Sequence, residues 1–202
     1  MTRQFTQIAF TPAVKAIQER YGSREAYARM EESGSENKTL VPHVAEFIRA
    51  RDSFYMGTVN SQGWPYIQFR GGAPGFLKVL DETTLGFADF GGNAQYLSIG
   101  NLADSDRTFL FLMDYAHRRR LKIWGRASVE YDDAALIEQL RVPGYEAQAE
   151  RAILIQVEAW DWNCPQHIPL KFSEEQVAAM MAPLQARIQA LEAQVANRSE
   201  NL

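Results

Sequence analysis

One cysteine, Cys164, in 202 residues excludes a framework of intramolecular disulfides. Histidine is almost as scarce: His43, His117 and His167 lie far apart and form no metal-ligand spacing with cysteine or carboxylates, so no metal centre is expected. There is no basic excess either, and a net charge of -4 argues against a non-specific binder of nucleic acid. No run approaches the ~20 apolar residues of a bilayer span, and the opening MTRQFTQIAF lacks the long apolar core of a signal peptide. The expectation is a soluble, cytoplasmic protein that touches neither membrane nor nucleic acid. Apolar material is plentiful at 46% of the chain, enough for one domain with a sizeable core.

Residues 1–52 read as a helical cover. Thr11-Pro12 is a cap followed by proline at the first helical position, and Gly22 is placed to stop the helix carrying Val14, Ile17 and Tyr21. Further helices are expected over 23–32 and 41–51, the second with Val44, Phe47 and Ile48 on one side.

From Ser53 the apolar period changes to two. SFYMGTVN and WPYIQFR, joined by Ser61-Gln62-Gly63, have hairpin chemistry. FLKVL, TLGFADF, TFLFLMDYA, RLKIWGRASVEY and RAILIQVEAWDW complete about seven strands over 53–165, with insertions at 93–102 and 134–140. Short sequential strands with few helices between them predict an antiparallel barrel. Residues 173–198 form a final helix that opens on a capping box, Ser173 with Gln176. Its Met181, Leu184, Ile188, Leu191 and Val195 follow a 3,4 spacing that suits either a partner helix or packing on the barrel.

Two features bear on chemistry. A helix beginning just after Gly91-Gly92-Asn93 would present unpartnered amides and a dipole to an anion, or Asn93 simply caps it. Strand alternation places Trp64, Tyr66, Gln68 and Arg70 on one face, and Arg118, Arg120, Lys122, Trp124 and Arg126 on another. Such a set of arginine, glutamine and aromatic groups either holds a phosphate and a flat ring or forms a solvated surface. Cys164, with only His167 near it in sequence, is expected to be a buried thiol.

FLKVLDE, the segment from Phe87 to Leu102, and RLKIWG, in that order and spacing, resemble the flavin-binding split-barrel proteins related to pyridoxamine 5'-phosphate oxidase. The flanking phrases RDSFYMGTVNSQGWPYIQFRGGAPGFLKVLD and DWNCPQHI add to the resemblance. It implies a mainly β fold, an FMN-binding split barrel with N-terminal helices and a C-terminal helix, and FMN held at a homodimer interface. The implied contacts are Phe76, Leu77 and Lys78 of the strand motif, Asp89, Phe90, Gly92, Asn93 and Tyr96 of the following segment, and Arg120 on the later strand. Ala73 and Gly92-Asn93 stand where the oxidase carries phosphate-binding cations. Arg70, Arg120 and Arg118, with Gln68 beside them, are therefore expected to supply the charge and hydrogen bonds instead.

Pro165 occupies the place of the oxidase's substrate-binding arginine, which speaks against pyridoxamine phosphate as substrate. His167 is either a substrate contact or a loop residue between two prolines. The expectation is an FMN-dependent oxidoreductase with a small-molecule substrate and NADH or NADPH as donor. No side chain is assigned as its catalytic base, because the flavin carries the redox step. The alternatives are a flavin sensor or store without turnover, or a split barrel that uses deazaflavin or haem.

Overall fold

The computed structural model describes residues 3–32, 37–162 and 164–199. Four helices come first, α1 (Gln4–Ala9), α2 (Pro12–Arg20), α3 (Arg24–Glu32) and α4 (Pro42–Arg49). Local chemistry sets the ends of α2. The Thr11 hydroxyl accepts the Val14 N–H at 3.3 Å, Pro12 opens the helix, and Gly22 just beyond it adopts a φ of 75°.

Glu31 ties α3 to α2 by accepting hydrogen bonds from Lys15 at 3.1 Å and from Arg24. Burial pushes its carboxyl upward, but the bonds from Arg24 and Lys15 outweigh that and hold it below its ordinary value. A depressed carboxyl stabilises the fold above its unfolded value and loses that contribution as pH falls through the folded one. Glu31→Gln is therefore expected to cost up to about 1 kcal/mol at neutral pH and nothing well below about pH 4. Urea unfolding at the two pH values checks this, and a gap that persists in acid refutes it.

Seven strands follow: β1 (Ser53–Val59), β2 (Pro65–Gly71), β3 (Lys78–Val79), β4 (Thr84–Phe90), β5 (Arg107–Asp114), β6 (Arg119–Glu130) and β7 (Ala149–Trp162). Every pairing is antiparallel, and the sheet order is β2-β1-β5-β6-β7-β4-β3. The β1–β2 turn is the expected hairpin. Asn60 Oδ1 accepts from the Gln62 and Trp64 amides, and Gly63 takes the left-handed conformation at φ 85°. The FLKVL strand is shorter than expected. Only Lys78 and Val79 pair with β4, while Phe76 and Leu77 precede it with their side chains in the core.

β2 and β4 stand five places apart in the sheet, yet Arg70 on β2 is ion-paired with Asp89 on β4. The sheet thus curls until its two ends meet, which makes it a split antiparallel barrel with flanking helices. Alternation fills the inside: Phe54 and Met56 from β1, Leu110 and Leu112 from β5, Leu121 and Ile123 from β6, and Ile153, Ile155 and Val157 from β7 are all buried. Phe54 stacks on Phe76 at 5.5 Å and meets Phe87 edge-on at 5.4 Å. Outside β4 and β7, α6 (Ala134–Leu140) covers Ala88 and Ala152 with Leu140.

The chain divides into two compact units. The first runs to Asp114 and resumes over Arg119–Pro165, and the second joins Tyr115–Arg118 to the chain from Gln166 onward. In the second unit, α7 (Glu174–Ser199) opens on the expected capping box. The Ser173 N–H donates to Gln176 Oε1 at 2.9 Å, and the Gln176 N–H donates to Ser173 Oγ at 3.2 Å. No helix among the described residues is long and apolar enough to cross a membrane.

Candidate functional site

Where the barrel's ends meet there is a cavity of 290 Å³, bordered by Tyr66, Gln68 and Arg70 of β2, by Asp89 and Phe90 of β4, and by the segment that follows. In that segment the helix begins later than the glycines suggest. α5 is Leu97–Asp104, capped at Tyr96 rather than Asn93. Asn93 Oδ1 instead accepts the Gln95 N–H at 3.2 Å, which closes a local turn. Ala94 at φ 56° and Tyr96 at φ 53° carry the left-handed backbone that reaches the helix, while neither Gly91 nor Gly92 has a positive φ.

A Cβ at Gly91 would stand 2.9 Å from Glu150 Oε1, the movable end of a side chain, and Gly92 faces open space. The residue ahead of α5, Tyr96, makes no side-chain cap to the first helical amides. Leu97, Ser98 and Ile99, which carry those amides, border the cavity. The helix is pinned in place from β1 and β2: Asn101 Nδ2 donates to Thr58 Oγ1 at 2.9 Å, and the Ser98 hydroxyl donates to Gln68 Oε1 at 2.6 Å.

The cavity floor is a buried charge cluster. Asp89 is 5% exposed and Arg151 7%. One Asp89 oxygen accepts from Arg70; the other lies 3.4 Å from Arg151 Nε, close enough for ion pairing but without a hydrogen bond. Glu150 binds the far end of Arg151, whose guanidinium also sits 5.0 Å over the Tyr96 ring. The Nε atoms of Arg70 and Arg151 are buried and have no hydrogen-bond partner among the described residues. Two guanidinium groups and the start of a helix on one cavity favour an anionic guest. A phosphate group fits that donor set.

Of the expected contacts, the structure brings Gln68, Arg70, Asp89, Phe90, Gly92, Asn93 and Tyr96 to this cavity. Phe76 and Leu77, 2% and 0% exposed, are core side chains with no surface to offer a ligand. Lys78 is half-buried on β3 opposite Gly86 and does not border the cavity.

Arg120 is on the other face of the sheet from Arg70. Gln68 and Arg70 register with the core residues Met56 and Phe54, whereas Arg120 registers with Met113 and lies 5.9 Å over the Phe111 ring on the outside. These two arginines therefore do not converge within one chain. Arg118 is not a strand residue; it ends the Tyr115–Arg118 turn at φ 51°, in the second unit. Arg126, on the basic face, is bound to Asp106 at 3.0 Å and Glu158 at 2.6 Å, and Lys122 to Asp161 at 2.7 Å.

Cys164 is exposed, contrary to the buried thiol expected. His167 adopts φ 61° in the loop beyond it. Trp160 donates its indole N–H to Thr39 O at 2.9 Å, and Trp162 meets Phe47 edge-on at 4.8 Å, so both pack the helical cover onto β7. Sequence reasoning missed Arg151, Glu150 and Ser98. The adjacent Glu150-Arg151 pair just ahead of the apolar run 152–155 was the available signal.

No curated protein matches the chain in sequence. Among solved structures it is similar to a variant of HupZ from Group A Streptococcus at 14% identity and a TM-score of 0.51, covering 61% of this chain and 99% of that one. An FMN-binding protein from Syntrophomonas wolfei aligns at 11% identity and a TM-score of 0.47, over 72% of this chain and 97% of that one. HutZ, the heme storage protein from Vibrio cholerae, aligns at 16% identity and a TM-score of 0.41, over 61% and 94%. A family model described as pyridoxamine 5'-phosphate oxidase matches residues 40–165, which is more than half of the sequence and takes in every strand of the barrel, and the chain belongs to that family.

Proposed function

We propose that this protein is an FMN-binding oxidoreductase whose flavin phosphate sits in the cavity between β2, β4 and the start of α5. The observation that carries this reading is the pair of guanidinium groups, Arg70 and Arg151, that border the same cavity as the start of α5. Arg70, Arg151 and the amides around Ser98 would hold the phosphate, and Gln68 and Tyr96 would flank the chain leading from it. The bound flavin supplies hydride or electron transfer, and the protein supplies grip, orientation and exclusion of water. Pro165, in place of the oxidase's arginine, turns the reading away from pyridoxamine phosphate and toward another small redox substrate, with NADH or NADPH as donor.

A cavity of 290 Å³ lies at the lower limit for sites that enclose a whole drug-sized ligand, so it suits the phosphate end and leaves the flavin ring outside. The outer face nearby is apolar and open. Ile67 is 67% exposed and Phe69 59%, with Tyr55 against Phe69 at 5.6 Å. A second copy laid on that face would enclose the ring, completing a homodimeric site to which Arg120 contributes from the outside of the sheet.

Anaerobic titration with FMN, followed by NADH or NADPH, tests the reading. The expected result is a shift in the visible flavin bands that saturates at one FMN per chain, then bleaching by one donor. Absence of saturable FMN binding overturns the assignment. Binding with no bleaching by either nucleotide removes the oxidoreductase half and leaves a flavin store or sensor.

A further inference from the structure

The seam on α7 carries an inference that is independent of the cofactor. Val177, Met181, Leu184, Ile188, Leu191 and Val195 recur at alternating steps of four and three and are between 42% and 64% exposed. In heptad terms Met181, Ile188 and Val195 are a positions, and Val177, Leu184 and Leu191 are d positions. Pro183, the one proline inside the helix, falls at a c position, off the a and d seam. We propose that α7 pairs with α7 of a second copy of this chain as a parallel, two-stranded coiled coil.

Two observations select that occupant and that direction. β-branched Ile188 and Val195 at a, with Leu184 and Leu191 at d, is the combination that favours two parallel strands. The charges agree. Arg187 at g and Glu192 at the following e are five residues apart, the separation at which a g side chain of one parallel helix meets an e side chain of the other. An antiparallel pair would match the same apolar layers, Met181 with Leu191 and Leu184 with Ile188, but would set Arg187 against its own copy across the two-fold axis. The parallel arrangement turns that repulsion into two attractive pairs. A parallel coil and an isologous barrel dimer both have two-fold symmetry, so one axis can serve both.

Disulfide trapping in the full chain reads the direction. With Cys164→Ser as background, Val177→Cys and Leu191→Cys are each expected to form covalent dimers under mild oxidation, while Ala186→Cys at an outer f position is not. Arg187→Glu in the Leu191→Cys chain should reduce dimer yield at low protein concentration several-fold, and adding Glu192→Arg should restore it. In the antiparallel arrangement two copies of residue 191 would be about 15 Å apart along the axis, too far to link. A Leu191→Cys chain that stays monomeric, or links only when mixed with Met181→Cys chains, overturns the proposal. The readout is covalent linkage at α7, so it is unaffected by whether the barrels themselves associate or bind FMN.

Discussion

Asp89→Asn is expected to lower the stability of the fold by about 3–5 kcal/mol, which for a chain of this size is roughly 6–20 °C in Tm. Among the described residues, Asp89 is the carboxylate that faces both Arg70 and Arg151, at the meeting point of β2 and β4. Its side chain and that of Arg70 are 6% and 11% exposed, so water cannot take over the pairing. Asparagine keeps the size and removes the charge, leaving Arg70 buried without a counterion and Arg151 with only its more exposed partner, Glu150. The loss should be cooperative with barrel closure, because this ion pair joins strands that the hydrogen-bond ladder leaves five places apart. Adding Arg70→Met to Asp89→Asn should recover part of the loss by removing the stranded charge. Denaturant unfolding measures both, and a single variant within about 1 kcal/mol of the native chain would show that the cluster does not hold the barrel's ends together.

The features legible in the sequence are those fixed by neighbouring residues. The Thr11-Pro12 cap, the Gly63 turn, the Ala134–Leu140 helix and the Ser173–Gln176 box depend on interactions spanning a few positions, and the structure shows each of them. Alternation likewise identified which residues of β2 and of β6 share a face. It could not relate one strand's face to the other's, because a shift of register by one residue exchanges the two sides. That is why Arg70 and Arg120, both expected to supply charge to one phosphate, fold onto opposite faces of the sheet.

The start of α5 was hidden for a different reason. Glycine is the residue that advertises a left-handed backbone, yet here Ala94 and Tyr96 adopt it, a conformation that persists in non-glycine residues only where surrounding structure imposes it. Arg151 was out of reach altogether. Its place beside Asp89 comes from the β4–β7 register between residues 62 positions apart, which no local pattern encodes.

Arg151→Gln is expected to weaken FMN binding by about 10- to 150-fold, the 1.5–3 kcal/mol of a hydrogen bond to a charged group, while leaving riboflavin affinity nearly unchanged. Riboflavin has the same ring and ribityl chain and lacks only the phosphate, so the ratio of the two affinities isolates what the cavity does for the anion. Arg151 is the better probe of the two arginines. Removing it leaves Asp89 paired with Arg70, so the barrel stays closed, whereas removing Arg70 frees the contact between β2 and β4. Glutamine preserves a donor and most of the aliphatic stem, and loses with the charge the guanidinium that sits over Tyr96 and Tyr131. Equal losses for FMN and riboflavin would mean that Arg151 shapes the wall without touching phosphate. No loss for either would move the anion away from β4 and β7 and out of this cavity.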